Sequence, residues 1–336
     1  MSDAARYAVA VIQGGPSSEA EVSRASATSV ANALVKAGHR AVRLELDAFL
    51  ADSLRTGGYE VVFPVSHGAV GEDGSLQGLL EVLDIPYVGS DVLASALAMN
   101  KRIAKVLFGA AGLPIAPALH ARRGEDASAL AERALAEVGA KVVVKPCSNG
   151  SAIGVARFDE GASAKELAAA IEAAWNVDDL VLVERFAPGR EITCGVLGTG
   201  PDAKALPPTE IRATNDAFYT YEARYAPGRS QHLCPAPLAP NLFARVQEVA
   251  VEAHRALGCR DLSRADFVVD DETVTLLEVN TMPGFTDTSL YPEAAGVAGI
   301  PMAELCDRFV QAAAARGAPR RNRALPLPRQ RAPPRE

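Results

Sequence analysis

The residues best spaced for chemistry lie in RADFVVD (264–270) and LLEVN (276–280). Side chains alternate along a strand, so Arg264 and Asp266 share one face, as do Glu278 and Asn280. A hairpin loop over Asp271 to Thr273 sets Asp266 opposite Glu278 and Arg264 opposite Asn280. Facing carboxylates repel unless a cation lies between them. Aspartate, glutamate and an amide are hard oxygen ligands, suited to Mg²⁺ that also holds phosphate oxygens. The plainer alternative is a solvated polar face on an edge hairpin. The apolar residues flanking the acids, in LLE and FVV, tip the balance towards a site.

Four further stretches carry candidate groups. In VVVKPCSNGSAIGV (142–155), Lys145 closes a buried strand, and the Gly/Ser loop after it offers backbone N–H groups and hydroxyls to phosphate. The Walker order GxxxxGK[ST] is absent, so the segment reads as a flap over a nucleotide or as an ordinary surface hairpin. In GGPSSEAEVS (14–23), Ser18 and Glu21 match a capping box, which makes Glu21 structural. Glu19 could hold a substrate ammonium or serve only the helix dipole. His67 ends a strand and opens the glycine-rich SHGAVGEDGSLQG (66–78), where Glu72 and Asp73 read as caps of the helix from Gly74. In TSL (288–290), Ser289 opens a helix and offers a hydroxyl and N–H groups to a carboxylate, or acts as a plain N-cap.

The elements that must position these groups follow from periodicity. Strands are expected at 7–12, 41–46 and 61–65, with helices after the first strand to Gly38, at 74–83 and at 91–111. This gives an α/β layer of Rossmann type over the first hundred residues. After Pro117 come a helix at 126–138, strands at 142–146 and 154–158, a helix at 163–175 and a strand at 180–184. A third unit holds EITCGVLG from 190, a polar stretch at 209–232, a helix at 240–257 and the RADF and LLEVN strands. The expected division is 1–100, 101–188 and 189–315, with a disordered Arg/Pro-rich tail over 316–336.

Composition narrows the class. The 336 residues are 49% apolar, ample for several cores and unlike a disordered or fibrous chain. No apolar run approaches the roughly 20 residues of a membrane span, and the N-terminus lacks a signal-peptide pattern, so a cytoplasmic protein is expected. The five cysteines are scattered and never spaced as CxxC, which argues against a disulfide framework and a zinc site. Net charge is −7; the tail carries seven Arg against one Glu, leaving −13 on the remainder, a poor nucleic-acid binder.

Taken together, GGPSSEAEVS, HGAVGEDGSLQG, the ASALAMNK stretch ending at Lys101, KPCSNGSAIG, FYTYEARY, RADF, EVNTMPG and TSL resemble the D-alanine:D-alanine ligases of the ATP-grasp superfamily. The resemblance runs from about residue 8 to 312. It implies an ATP-grasp fold behind a Rossmann-like N-terminal domain, with ATP gripped between the central and C-terminal units. By that similarity Lys101 and Lys145 contact ATP phosphates, Glu184 the adenine and Glu191 the ribose, with Ser151, Arg185 and Arg224 also in the nucleotide site. Asp266, Glu278 and Asn280 hold Mg²⁺, two ions being expected and Mn²⁺ able to substitute. Glu19 binds the first D-alanine's ammonium, Ser289 and Leu290 the second's carboxylate, and His67 lies near the substrate. Arg264 stabilises reacting acyl and phosphoryl oxygens, while Ser151 and Tyr225 bridge to Glu19 and close the site. The polar stretch 209–232, with FYTYEARY, becomes a lid that excludes water. Arg185, Arg224, Thr220 and Cys147 depart from the family's usual lysine, lysine, aspartate and serine, and Arg does not reproduce Lys geometry.

Relatives in the superfamily use D-serine, D-lactate or another amino acid as second substrate; Tyr225 in FYTYEARY favours the dipeptide-forming type. A dinucleotide-dependent oxidoreductase ranks low because GGPSS is not GxGxxG. A catalytically dead nucleotide-binding regulator is disfavoured by Arg264, Asp266, Glu278, Asn280 and both lysines. The expected partners are D-alanine and ATP, without nucleic acid or membrane, in a homodimer.

Overall fold

The computed structural model describes residues 5–148, 150, 152–213 and 230–318. Its N-terminal unit holds β1 (Ala8–Gln13), α1 (Ala20–Lys36), β2 (Arg40–Glu45), α2 (Leu50–Thr56), β3 (Val61–Pro64) and α3 (Ser75–Val82), followed by α4 (Val92–Met99) and α5 (Lys101–Ala110). The strands form a parallel sheet in the order β2-β1-β3. It is covered on both sides, as parallel sheets must be. Val9 and Val11 of β1 face one apolar cluster, Ala10 and Ile12 another built with Leu50, Leu54, Leu76 and Leu80.

The central unit holds β4 (Ala118–Arg122), α6 (Ala127–Glu137), β5 (Val142–Pro146), β6 (Ala156–Phe158), α7 (Ala164–Ala174) and β7 (Leu180–Arg185). Its antiparallel sheet runs β4-β7-β5-β6. Val142, Val144, Val181 and Val183 pack with α6 and α7. Alternation therefore turns Val143, Lys145, Leu182 and Glu184 to the other face.

The C-terminal unit holds β8 (Arg190–Leu197), β9 (Lys204–Ala205), β10 (Thr209–Ala213), β11 (Ser230–Leu233), α8 (Pro240–Ala256), β12 (Leu262–Val269), β13 (Val274–Asn280), α9 (Leu290–Val297) and α10 (Met302–Arg316). Its sheet runs β11-β10-β8-β12-β13, with β9 on β8. Ala265, Phe267 and Val269 are buried with Val246, Val249 and Ala250 of α8, which leaves Arg264, Asp266 and Val268 on the opposite face.

Several expectations change. The single helix at 91–111 is two, because Asn100 leaves the helical region (φ −90°, ψ 96°) and its side chain accepts the Ile103 N–H, capping α5. The polar stretch 209–232 is not loop at its ends: Glu210 to Ala213 pair with Ser230 to Leu233 as sheet strands. Arg316 does not belong to a tail. It ends α10 and forms a two-pronged ion pair with the buried Asp261, while also donating to the Tyr87 carbonyl. Ala318 is buried as well. Through α10 the C-terminal unit closes the N-terminal sheet, with Phe63 edge-on to Phe285 and Phe309. The sequence reading places no strand at 118–122 and no helix at 302–316.

Candidate active site

The β12–β13 hairpin carries the acids in the expected register, by a different route. Val269 pairs with Val274 and Phe267 with Leu276, so the turn is one residue longer than expected. The side chain of Asp270 stabilises it by accepting the N–H groups of Glu272 and Thr273. A bulge then leaves Leu277 unpaired, and beyond it Asp266 faces Glu278 and Arg264 faces Asn280. Burial follows the slip: Val274 and Leu276 point inward before it, Val279 after it. Without the bulge, Glu278 would keep step with Leu276 and point into the core beneath α8.

Asp266 and Glu278 each already have a cation. Arg264 grips Asp266 with two hydrogen bonds of 2.9 and 2.8 Å, and Thr193 on β8 donates to the same carboxylate at 2.6 Å. Glu278 lies 3.0 Å from the Lys101 ammonium at the start of α5. The Asn280 side-chain oxygen accepts the Met282 N–H at 2.8 Å. Glu191 lies two residues before Thr193 on β8, hence on the same face, opposite Val268.

Across the cleft, on the central sheet, Glu184 is buried between two ammonium groups. Lys145 of β5 stands 2.5 Å away and Lys105 of α5 forms a second ion pair. Burial alone would push Glu184 up, but the charges of Lys145 and Lys105 outweigh it and hold the carboxyl below its usual range. Burial likewise opposes the charge on Lys145, and Glu184 and Glu278 overcome it, raising Lys145. For Lys105 burial prevails, so its ammonium is held below the usual lysine range despite Glu184. Lys101 and Lys105 are one helical turn apart, so α5 sends one lysine to a carboxylate of each sheet. The Lys101 N–H also bonds the Cys147 carbonyl at 3.0 Å. Burial pushes the Cys147 thiol up to about 11, so the sulfur stays protonated at neutral pH.

A cavity of about 410 Å³ joins the hairpin to the N-terminal unit, lined by Glu19, His67, Glu72, Gly150, Arg264, Glu278, Asn280, Ser289 and Leu290 among others. Glu19 occupies the N-cap position of α1 without capping it; the Glu19 N–H donates to Ser17 Oγ, and that hydroxyl donates to the His67 carbonyl. The Ser18–Glu21 capping box does not form. Glu21 pairs with Arg24 at the exposed surface instead, because Ser17 has already turned the chain and the helix begins a residue past Ser18 and Glu19. His67 is 6% exposed, with Nδ1 3.8 Å from Glu72. Burial would lower His67, but Glu72 and Glu19 together with the Met282 backbone raise it. Ser289 stands at the N-cap of α9 with no capping bond; its hydroxyl accepts the Thr286 N–H at 2.9 Å.

The structure thus gathers Glu19, His67, Arg264, Glu278, Asn280, Ser289 and Leu290 around one cavity, and Lys101, Lys145 and Glu184 beside it. It does not bring Arg185 there: Arg185 donates to the Val138 carbonyl at the end of α6, across the sheet from Glu184. Ser151, Arg224 and Tyr225 lie outside the described residues, as does all of FYTYEARY. Two participants escape the sequence reading. Glu72, expected as a cap, accepts the Gly68 N–H at 2.6 Å and flanks His67, and Asp73 alone receives the Ser75 N–H. Lys105 could have been found from its spacing of four from Lys101.

Two sheets that oppose a cation-lined carboxylate to an acid-bearing hairpin, behind a Rossmann-like unit, define an ATP-grasp ligase. The comparisons name the family. The family description "D-ala D-ala ligase C-terminus" matches residues 107–311 and "D-ala D-ala ligase N-terminus" residues 46–90. The chain is 44% identical over 312 residues to a D-alanine:D-alanine ligase of Parvibaculum lavamentivorans, covering 91% of this chain and 97% of that one. It is 45% identical over 307 residues to that of Geotalea uraniireducens, covering 91% and 95%. Among solved structures, the Coxiella burnetii D-alanine:D-alanine ligase superposes with a TM-score of 0.81 at 28% identity, covering 94% and 96%. The Bacillus anthracis enzyme complexed with ATP gives 0.77 at 30%, covering 92% and 97%. The chain belongs to the D-alanine:D-alanine ligase family.

Proposed function

We propose that the protein joins two D-alanines at the expense of ATP, and that the cavity shared by Glu19, the hairpin and Ser289 is where they meet. The observation that carries this reading is that shared cavity, since it sets an ammonium-binding acid, an arginine and a helix N-terminus around one space. A carboxylate is a poor acyl donor because oxide cannot leave, so the γ-phosphoryl is first moved onto the first D-alanine. The neutral amine of the second attacks the acyl phosphate, and the tetrahedral intermediate collapses with loss of phosphate. Glu19 holds the first ammonium beside His67. Ser289 and the N–H of Leu290 receive the second carboxylate. Arg264 turns from Asp266 to the reacting oxygens, and Lys101 and Lys145 turn to the phosphates.

The hairpin fits Mg²⁺: Asp266, Glu278 and Asn280 are hard oxygen donors on one face, and their present partners, Arg264 and Lys101, are cations that phosphate can draw away. Bound there, the ion spreads the charge of the transferring phosphoryl group. Two ions are proposed, with Mn²⁺ as a substitute. Glu184 accepts from adenine and Glu191 from ribose. The Ser151 and Tyr225 closure of the site rests on the resemblance alone. Among the described residues no helix is long and apolar enough to cross a membrane. A cytoplasmic homodimer is the proposed form, checked by sedimentation.

Phosphate release from ATP, measured with D-alanine alone and with D-serine or D-lactate added, tests the assignment. D-Alanyl-D-alanine should dominate the products. Faster release with D-serine or D-lactate, and the mixed product, would move the chain to a relative's specificity.

A further inference from the structure

Glu184 has two lysines, and they are not equivalent. Lys145 sits on a strand with its side chain 12% exposed; the Lys105 side chain is 6% exposed and Glu184 3%. Lys145 is therefore the one that can turn outward to phosphate. If it did so with no other cation at hand, a buried carboxylate would be stranded, which is costly. Lys105 has nowhere else to go: it is enclosed, one turn along α5 from Lys101, and its helix is tied to the loop after β5 through the Lys101 N–H and the Cys147 carbonyl.

We infer that Lys105 is a positioning residue that keeps Glu184 charged and aimed as an acceptor after Lys145 has left it for the nucleotide. The inference rests on the proposed contact of Glu184 with adenine. A charged carboxylate accepts from the 6-amino group of ATP and repels the 6-oxo group of ITP. A neutral carboxyl, carrying a proton, can donate to the 6-oxo group. Lys105 thus contributes to base selection without touching the base. The other charges near it, Lys145 and Glu278, belong to groups that change partners when ATP arrives; Lys105 is the fixed member of the set.

The test compares ATP and ITP as substrates for the parent enzyme, Lys105→Met and Lys105→Arg, with D-alanine saturating. Lys105→Met should raise KM for ATP about tenfold, the loss of one charge-assisted contact, with kcat changed much less. It should also narrow the preference for ATP over ITP, and Lys105→Arg should restore most of both. Should Lys105→Met not fold, Lys105→Gln, which keeps polarity but not charge, takes its place. If the parent enzyme does not distinguish ATP from ITP, the adenine contact of Glu184 fails. If it does, and the uncharged variant keeps both the KM and the preference, Lys105 is not a positioning residue. Equal loss with ATP and ITP, or loss not restored by arginine, would make Lys105 merely structural and overturn the inference.

Discussion

The two faces of the proposed nucleotide cleft handle charge in opposite ways. On the hairpin, two carboxylates meet two cations, Asp266 with Arg264 and Glu278 with Lys101, and the Glu278 side chain is 29% exposed. On the central sheet, one carboxylate meets two cations in a nearly dry setting, with Glu184 3% exposed. A balanced, partly wetted set can exchange its partners, because releasing a lysine or arginine leaves an acid that a metal ion can take. A dry set with a surplus cation is prepared for an anion instead, since turning one lysine to phosphate leaves the remaining pair neutral. The polarity of the cleft is thus built before any ligand arrives.

The hairpin face should break first, and most completely, on insertion of one alanine between Leu277 and Glu278. One residue added beyond the bulge shifts the alternation and puts Glu278 and Asn280 on the α8 side, so phosphate release should fall below detection. Activity after the insertion would mean that the alternation beyond the bulge does not set the facing of the acids. Next in size is Glu278→Gln, which keeps shape and removes the charge. Turnover should fall at least about a hundredfold with the circular dichroism spectrum unchanged. A variant within a few-fold of the parent would remove the hairpin from the metal assignment.

How far these faces can be read from sequence depends on whether a local pattern or a single residue decides. Alternation in RADFVV places Arg264 and Asp266 together because the α8 side is apolar throughout, and that pattern is visible. The pairing of Asp266 with Glu278 is also anticipated, but through two compensating departures: a turn one residue longer and a bulge at Leu277. No residue type announces a bulge at leucine. The break at Asn100 is similar, because the apolar residues on either side continue a helical period and only the side-chain bond to Ile103 reveals the stop. Ser18 and Glu21 show the reverse failure, a pattern present without its structure, since Ser17 makes the turn first. Glu72 meets Gly68 and His67 through the turn of its own loop, whereas tertiary packing brings Lys105 to Glu184, and only its spacing of four from Lys101 is visible locally. The residues of FYTYEARY, Tyr225 included, lie outside the described residues.

The central face should yield in smaller steps. Lys145→Met should raise KM for ATP about tenfold while the fold persists, because Lys105 continues to neutralise Glu184. A loss of folding instead of affinity would show that both lysines are needed merely to hold the carboxylate.

The smallest effect on turnover at saturating ATP, and the clearest on stability, should come from Glu184→Gln. Lys145 and Lys105 hold the Glu184 carboxyl below its usual range, so its folded value lies beneath its unfolded one. Such a group contributes stability that is present above the unfolded value, about 4.3, and is lost as pH falls through the folded one. The lysines titrate far above this window and do not alter its sign. At pH 7 the variant takes from two buried ammonium groups their nearest counter-charge and should lose about 3 kcal/mol. As pH falls from about 4.3 through the lower folded value the parent loses the same contribution, so the two unfolding curves should draw together and converge at the acid end of that window. Glu278→Gln, on the more exposed face, should lower stability at pH 7 by about 1 kcal/mol or less, since water screens the Lys101 pair. Urea unfolding of the parent and both variants at pH 7 and in a descending series below about pH 4.3 separates the faces. Equal losses at pH 7, or a Glu184→Gln difference that does not shrink in acid, would show that the central carboxylate is no more deeply committed to its lysines than the hairpin is to its own.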